Sequence, residues 1–504
     1  MAAASPGSHT GKELFDLSVQ FAMNRVQSAH QVLARQLSLL YNIEEAGPRR
    51  SPTGMDDCLE LLTDTLRHLS NVMATDHTDP TTPDDIRTWL SAALTSQGTC
   101  LDSLDGGLAT ERDAVAALAK NLTHFISNSL ALYEHTGATT NERLVTQTKK
   151  SKYPAGGHRK LLSDGRFPSW VTAGDRKLLE ASPEELGERL VVAQDGTGTH
   201  ATVADAIAFA SLAASPGGGR SVIHVTAGTY NENLKIPGGS NILLVGDGKG
   251  KTVITGHKNV QDGSTTFGSA TLAATGDGVM IRDMTIENTA GPAKHQAVAL
   301  LVKSDKAVIY RCAIVGYQDT LYTHSSRQFY RDTDIYGTVD FIFGNSAAVF
   351  QNCNIFVRRP GSDQKNYVTA QGRSDPNQNT GISIQACRIQ GTSDLAPVKR
   401  KNPTFLGRPW QKYARTVVMQ SFLDDAVDPA GWASWAGGSN SRTLYYGEYM
   451  NSGPGAGTGG RVRWPGVHPA MSVAEATGFT VAEFIGGTSW LPSTGVEFSS
   501  GLGV

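Results

Sequence analysis

The sequence predicts an all-β right-handed parallel β-helix, a solenoid of stacked coils, preceded by an all-α four-helix bundle. Three observations carry this expectation. Apolar residues recur at helical spacing from about residue 11 to 135, short β-rich runs take over after about residue 185, and those runs repeat every 20 to 25 residues or so with no helix between them.

The first region, residues 11–135, contains four amphipathic segments. Leu14, Leu17 and Phe21, then Leu33, Leu37 and Leu40, mark the buried face expected of the first, and Leu59, Leu62, Leu66 and Leu69 that of the second. "DIRTWLSAALTSQGTCLDSL" (85–104) and "ERDAVAALAKNLTHFISNSLALYEH" (111–135) supply the other two. Breaks rich in Pro, Thr or Gly separate them, and four helices with short connections imply an antiparallel bundle. Cys58 and Cys100 fall on two of these helices and can pair if the chain meets an oxidising compartment. Residues 136–184 are polar, basic and punctuated by Gly and Pro, which reads as a linker, and "RKLL" at 159–162 lies where a protease can reach it.

From residue 185 to 504 the runs include "SVIHVTAGTY", "NILLVGDG", "GVMIRDMTIEN", "KAVIYRCAIVG", "RQFYRDTDIYG", "AAVFQNCNIFV" and "GISIQACRIQG". Several are versions of one unit: an apolar strand, a polar pair, then Ile and often Gly. Aligning Ile314, Ile335 and Ile355 gives steps of 21 (335 − 314) and 20 (355 − 335) residues, with Ile286 and Ile389 one longer coil away on each side. A sandwich or propeller would favour two-residue Asn-Gly hairpin turns, which are scarce here.

Bulk properties narrow the partners. The 504 residues carry a formal net charge of −2 and an 18% charged fraction, so no polybasic field marks a nucleic-acid or membrane-surface binder. No run of about 18 apolar residues is present to span a bilayer. The start, "MAAASPGSHTGKELF", lacks the apolar stretch of a signal peptide, which read literally argues against secretion; one acceptor sequon, Asn121-Leu122-Thr123, points the other way. The cysteines are Cys58, Cys100, Cys312, Cys353 and Cys387, an odd number with no zinc-type spacing, and the last three read as small buried apolar residues.

One pattern occurs twice in "GYQDTLYTHSSRQFYRDTDIYGTVDFIFGN" (316–345): Gly316 precedes Asp319 by three residues and Gly337 precedes Asp340 by three. Each aspartate lies five residues after its aligned isoleucine (319 − 314 and 340 − 335), so both project from the same place on neighbouring coils. Adjacent strands are about 4.8 Å apart, and two carboxylates that close cannot both be comfortably ionised. One is then an acid and the other a nucleophile or base. Isolated aspartates in solenoid turns are usually solvated or cap a backbone turn, and a carboxylate pair can also hold Ca²⁺. The apolar setting of Asp340 in "VDFIFGN" weakens both alternatives and suits covalent chemistry.

At these residues the sequence resembles the plant pectin methylesterases. "GTYNEN" (228–233), "KHQAVAL" (294–300), "GYQDTLY" (316–322), "DFIFGN" (340–345) and "LGRPW" (406–410) occur in the family's order, and "RVRWPGVHP" and "FIGGTSWLPSTGVEF" look like its C-terminal segment. The bundle resembles the invertase and pectin methylesterase inhibitor domain that precedes many of these enzymes, and "RKLL" looks like the processing site between the two. The resemblance implies a carboxylic ester hydrolase acting on methyl-esterified homogalacturonan without a cofactor or metal, secreted to the cell wall, with inhibitor proteins and a processing protease as further partners. It implies that Asp340 is the nucleophile, that Asp319 is the acid and then the base, and that Gln318 and Gln296 donate to the oxyanion. Arg408 would hold Asp340 ionised, Trp410 would offer a flat face to a sugar ring, and Thr266 matches a substrate-contacting threonine. Neither His295 nor His324 is assigned a catalytic task.

The chain also departs from the family. Thr333 stands where the family commonly has a cysteine, so Cys353 is expected to lack its usual partner, and the bundle keeps one cysteine pair where two are usual. Two other functions stay open: a β-helix lyase or hydrolase that cuts the polymer backbone, and an inhibitor-like binding protein that acts chiefly through the helices.

Overall fold

The computed structural model describes residues 10–43, 54–75, 83–104, 109–135, 190–214, 219–435 and 440–503. The linker expected at 136–184, with its "RKLL" tetrapeptide, lies outside the described residues. Those residues form a helical unit and a β unit.

The helical unit consists of α1 (Gly11–Ile43), α2 (Gly54–Ala74), α3 (Pro83–Ser103) and α4 (Ala109–His135). Thr10 and Glu13 cap the start of α1 reciprocally, each side chain accepting the other's backbone N–H at 3.2 and 2.8 Å. α1 packs on α2 and α4, and α3 packs on the same two. Cys58 of α2 and Cys100 of α3 form a disulfide across a Cα separation of 4.5 Å.

The first half of one expected face is corrected, while Leu33 and Leu37 of its second half are buried as expected. Leu14, Leu17 and Phe21 are 43%, 55% and 45% exposed, whereas Phe15, Val19, Ala22, Val26, Ala29, Leu33 and Leu37 are buried. The buried set keeps alternating steps of four and three for more than three turns of α1, and two of its members are small alanines. The larger leucines beside it drew attention to a face one residue away. Phe21 instead packs edge-on against Phe125 at 5.0 Å, with the Arg25 guanidinium over its ring.

The β unit is a parallel β-helix of three sheets with 11, 8 and 7 strands, here called A, B and C. Each coil visits A, then B, then C. Ala307–Tyr310, Ala313–Val315 and Leu321–Thr323 make one coil, and Arg327–Arg331, Asp334–Gly337 and Ile342–Gly344 the next. The anticipated register is present in sheet B, where Ile286, Ile314, Ile335, Ile355 and Ile389 stack one above another. These isoleucines are fully buried within a continuous apolar core.

The β-rich runs hold more structure than the sequence suggested. Most contain two strands in different sheets, separated at the polar pair. At that corner Asp283, Arg311, Asp332, Asn352, Ala386, Gln420 and Met450 each take a left-handed backbone conformation, with φ between 48° and 56°. This single left-handed residue turns the chain from a sheet-A strand to a sheet-B strand on six successive coils, and Met450 repeats it before the isolated bridge of Ser452 to Phe422. The following position forms its own column: Cys312 N–H donates to Thr333 Oγ1 at 3.4 Å, Cys353 N–H to Cys387 Sγ at 3.4 Å, and Cys387 N–H to Ser421 Oγ at 3.0 Å. Cys312, Cys353 and Cys387 are buried free thiols.

At the N-terminal end α5 (Val203–Ala213) lies against the first coils. Its first amides, Val203 N–H and Ala204 N–H, donate to the Glu232 carboxylate at 3.0 and 2.9 Å, where the helix dipole favours negative charge. At the C-terminal end an amide ladder runs along sheet A, from Gln351 to Gln385 to Gln420. Its free N–H groups donate to the carbonyls of Ser499, Gly501 and Leu502 and so fasten the closing segment.

The repeated Gly-x-x-Asp pattern has a steric cause. Gly316 and Gly337 end their sheet-B passages, and the chain then folds tightly back on the residue four positions later. A Cβ on Gly337 would lie 2.2 Å from Phe341 Cβ, and one on Gly316 would lie 2.7 Å from Thr320 Oγ1. Gly337→Ala is expected to destabilise the β unit by about 2–3 kcal/mol, as overpacking in a rigid core does. Gly316→Ala should cost less, because a Cβ there would meet its nearest atom at 2.7 Å rather than 2.2 Å. Thermal unfolding of the two variants, followed by the β signal in circular dichroism, checks the order.

Candidate active site

The two aspartates stand at the turn from sheet B to sheet C. Ile314 pairs with Ile335 before the turn and Leu321 with Ile342 after it, so the offset is 21 on both sides and Asp319 stacks on Asp340. Asp319 N–H donates to the Val339 carbonyl at 3.0 Å, which ties the two turns directly. Both residues take left-handed conformations, φ 62° and 50°, a region that Asp tolerates better than most side chains. Both are buried, at 7% and 5% exposure.

Extending the register by one coil places Tyr367 next in the same column, since Ile342 pairs with Thr369. Arg408 comes from the strand Thr404–Pro409, two coils beyond Asp340, and reaches back over that tyrosine. Its Nε donates to Asp340 Oδ1 at 2.7 Å and its Nη2 to Oδ2 at 2.5 Å. The guanidinium lies between two rings, 4.1 Å from the Tyr367 centroid and 4.2 Å from that of Trp435. A flat, delocalised cation suits both contacts: the fork matches the carboxylate and the faces match the aromatics.

These neighbours separate the two carboxyls electrostatically. Burial pushes Asp319 well above the ordinary carboxylate range, and the Asp340 charge adds to the push against the pull of Arg408. Burial raises Asp340 as well, and hydrogen bonds and charge from Arg408 hold that rise back in part. Because the guanidinium fork belongs to Asp340, a proton on the pair is favoured on Asp319.

The other expected residues are distributed around this pair. Gln318 directly precedes Asp319, and its Oε1 is buried with no hydrogen-bond partner among the described residues. Gln296 lies one coil earlier, immediately before Ala297, whose N–H donates to the Gln318 carbonyl at 3.3 Å. Trp410 lies 6.4 Å from the Tyr322 ring and 6.0 Å from the Phe343 ring, two rings that stack on each other at 4.2 Å. Gly372 makes room for it, since a Cβ there would come 2.8 Å from Trp410 Cε3. Thr266 begins the short 3₁₀ turn Phe267–Ser269, and Phe267 lies 5.7 Å from the His324 ring, which borders Tyr322 at 5.1 Å. Thus Thr266 and Trp410 lie at one aromatic group, Arg408 bonds Asp340, Gln318 adjoins Asp319 in the chain, and Gln296 lies one coil before Gln318. His324 is fully buried and His295 exposed. Among the described residues no group of three or more His, Cys, Asp or Glu side chains is arranged to hold a metal ion.

Sequence reasoning missed Tyr367 and Trp435. The register contained a signal for the first, because Tyr367 follows Asp340 in the column that Asp319 begins. Trp435 carried none, since its contact with Arg408 depends on how the segment after the last sheet-C strand returns.

Known proteins match both units. The family model Pectinesterase matches residues 189–488, and the family model Plant invertase/pectin methylesterase inhibitor matches residues 1–132. Among curated relatives, a probable pectinesterase/pectinesterase inhibitor 35 of Arabidopsis thaliana is 53% identical over 96% of this chain and 87% of its own length. Pectinesterase 2 of Citrus sinensis is 48% identical over 97% of this chain and 89% of its own. Among solved structures, a pectin methylesterase from carrot is 56% identical with a TM-score of 0.61, covering 63% of this chain and 98% of that one. A pectin methylesterase from Aspergillus niger is 30% identical with a TM-score of 0.52, covering 60% and 95% respectively.

Removing Arg408 leaves a buried carboxylate without its counter-charge. Arg408→Met is expected to destabilise the β unit at neutral pH by about 3 kcal/mol, the low end for breaking a buried pair. The loss should shrink in acid, because Asp340 is then protonated in folded and unfolded chains alike and no buried charge remains. Denaturant unfolding at the two pH values reads the difference.

Proposed function

The chain belongs to the pectinesterase family, and from that membership and the stacked carboxylates we propose that it hydrolyses the methyl esters of homogalacturonan through an aspartyl acyl-enzyme. Asp340, ionised and aimed by Arg408, attacks the carbonyl carbon of the C6 methyl ester. The carbonyl electrons move onto oxygen, and the amides of Gln318 and Gln296 donate to that oxyanion, a role worth about 3 kcal/mol per donor in other enzymes. Collapse breaks the bond to the methoxy oxygen, which leaves as methanol with the proton of Asp319. The product of this half-reaction is an anhydride between Asp340 and the galacturonate.

In the second half Asp319, now a carboxylate, takes a proton from water as the water oxygen attacks the anhydride carbonyl. Asp340 leaves as a carboxylate, Asp319 is again protonated, and the acid product passes its proton to solvent. Trp410 and Thr266 hold the sugar chain beside the pair, the indole by its flat face and the threonine by hydrogen bonding. The observation that carries this reading is that the carboxyls share one column of the solenoid while only Asp340 is bonded by a guanidinium. No step draws on a metal or an organic cofactor.

The bundle, residues 11–135, serves as an inhibitory or pro-region, with cleavage at "RKLL" in the 136–184 linker releasing residues 185–504. Its match to the inhibitor family model supports that role. The relatives are plant proteins, and the proposed site of action is the pectin of the cell wall.

Methanol release from methyl-esterified homogalacturonan, measured on the full chain and on residues 185–504, tests the reading. Asp340→Asn should lower it by about 10⁴-fold or more, as loss of a nucleophile does. The rate should be bell-shaped in pH, rising as Asp340 ionises and falling as Asp319 loses its proton. No release by the unmutated proteins, or new reducing ends and a rapid fall in viscosity instead, would reject the esterase in favour of backbone cleavage. A bundle fragment that inhibits other pectinesterases while residues 185–504 stay inert would favour the inhibitor-like binding protein.

A further inference from the structure

Asp340 is aimed by Arg408, but the Asp319 carboxyl accepts no hydrogen bond from the described residues; only the charges of Asp340 and Arg408 act on it. Its position is therefore set by the backbone of its own turn, Gly316 to Asp319. That turn is held from outside by Arg358, which follows the sheet-B strand Asn354–Val357 on the coil after that of Asp340. Arg358 N–H donates to the Gly337 carbonyl at 2.8 Å, and its Nη1 donates to the Gly316 carbonyl at 2.9 Å. Those carbonyls are equivalent atoms of the two Gly-x-x-Asp turns. Its Nη2 also donates to Tyr317 Oη at 2.7 Å, and the guanidinium lies 3.8 Å from the centroid of that ring. One residue thus bridges three successive coils at the edge where both aspartates stand.

We propose that Arg358 is a positioning residue that fixes the Asp319 turn against the Asp340 turn and so sets the separation of the acid from the nucleophile. The proposal rests on reading Asp319 and Asp340 in those roles. A cavity of about 330 Å³ lies beside Arg358, lined also by Val315, Tyr336, Thr392 and Asp394, which raises a ligand-binding arginine as the rival account. The rival is weaker because both terminal nitrogens and one face of the guanidinium are already engaged with Gly316 and Tyr317. Lysine cannot replace such a fork: it has one nitrogen and no planar face.

The test is steady-state methanol release across a pH series by the full chain and by residues 185–504, for the unmutated protein, Arg358→Lys, Arg358→Met and Tyr317→Phe, with thermal unfolding in parallel. Both Arg358 variants should lower kcat about ten- to a hundredfold, the scale of a misplacement of 1 Å or less, while KM stays within about twofold. The alkaline limb of the profile should move to lower pH, because a carboxyl released from the Asp340 charge gives up its proton more easily. Tyr317→Phe, which removes one hydroxyl, should shift both readouts the same way by less, and it carries the test alone if the Arg358 variants do not fold.

A raised KM with intact kcat, restored by lysine, would overturn the proposal in favour of a ligand site. An unchanged kcat and pH profile in folded variants would overturn it outright. No methanol release by the unmutated full chain and none by unmutated residues 185–504 would remove the esterase reading and this proposal with it, an outcome distinct from normal release by the wild type and its variants alike.

Discussion

The structure depends on one constraint: two successive coils of equal length on both sides of a turn. Ile314 on Ile335 and Leu321 on Ile342 fix the offset before and after the aspartates, so neither turn can slip without disturbing a core column. A solenoid enforces this strongly, because shifting a strand by one residue would turn its buried side chains outward. The site is therefore assembled by local repetition rather than by long-range docking of separate elements. The glycines at 316 and 337 belong to the same constraint, since only a residue without a Cβ lets each turn close on the side chain four positions later.

Stacking alone would yield two equivalent acids. What separates them is the direction from which cations arrive. Arg408 reaches Asp340 from two coils beyond and is held flat between Tyr367 and Trp435, so its fork stays aimed at one carboxylate. Asp319 lies one coil further from that charge and receives no hydrogen bond from it. The same burial that raises both carboxyls is thus opposed at Asp340 by hydrogen bonds and charge from Arg408, and at Asp319 by its charge alone. An asymmetric pair follows from a regular repeat because the strand that carries arginine lies on one side of it only.

How much was legible in the sequence varied with the physical origin of each feature. The isoleucine column and the aspartate pair were readable because a solenoid repeats the same residue types at the same phase. The left-handed corners were not: Asp, Arg, Asn, Ala, Gln and Met all occupy them, so the backbone demands a conformation without demanding a side chain. The sheet-C strands around the site are often three residues long, as at Leu321–Thr323, too short for any periodicity to register. On α1 the misread face followed from side-chain size, since Ala22 and Ala29 line the buried stripe while Leu14 and Leu17 beside it are exposed. Arg408 came from a motif resemblance, but its aromatic clamp and the reach of Arg358 appear only when coils are stacked in space.

The asymmetry should leave one proton on the pair at neutral pH, carried by Asp319. Difference infrared spectroscopy of the carboxyl stretching region, comparing the unmutated protein with Asp319→Asn, tests this most directly. The wild type should show a protonated-carboxyl band that persists well above the ordinary carboxylate range and is missing from Asp319→Asn. A wild type with no such band at neutral pH, or a band that survives in Asp319→Asn, would contradict it.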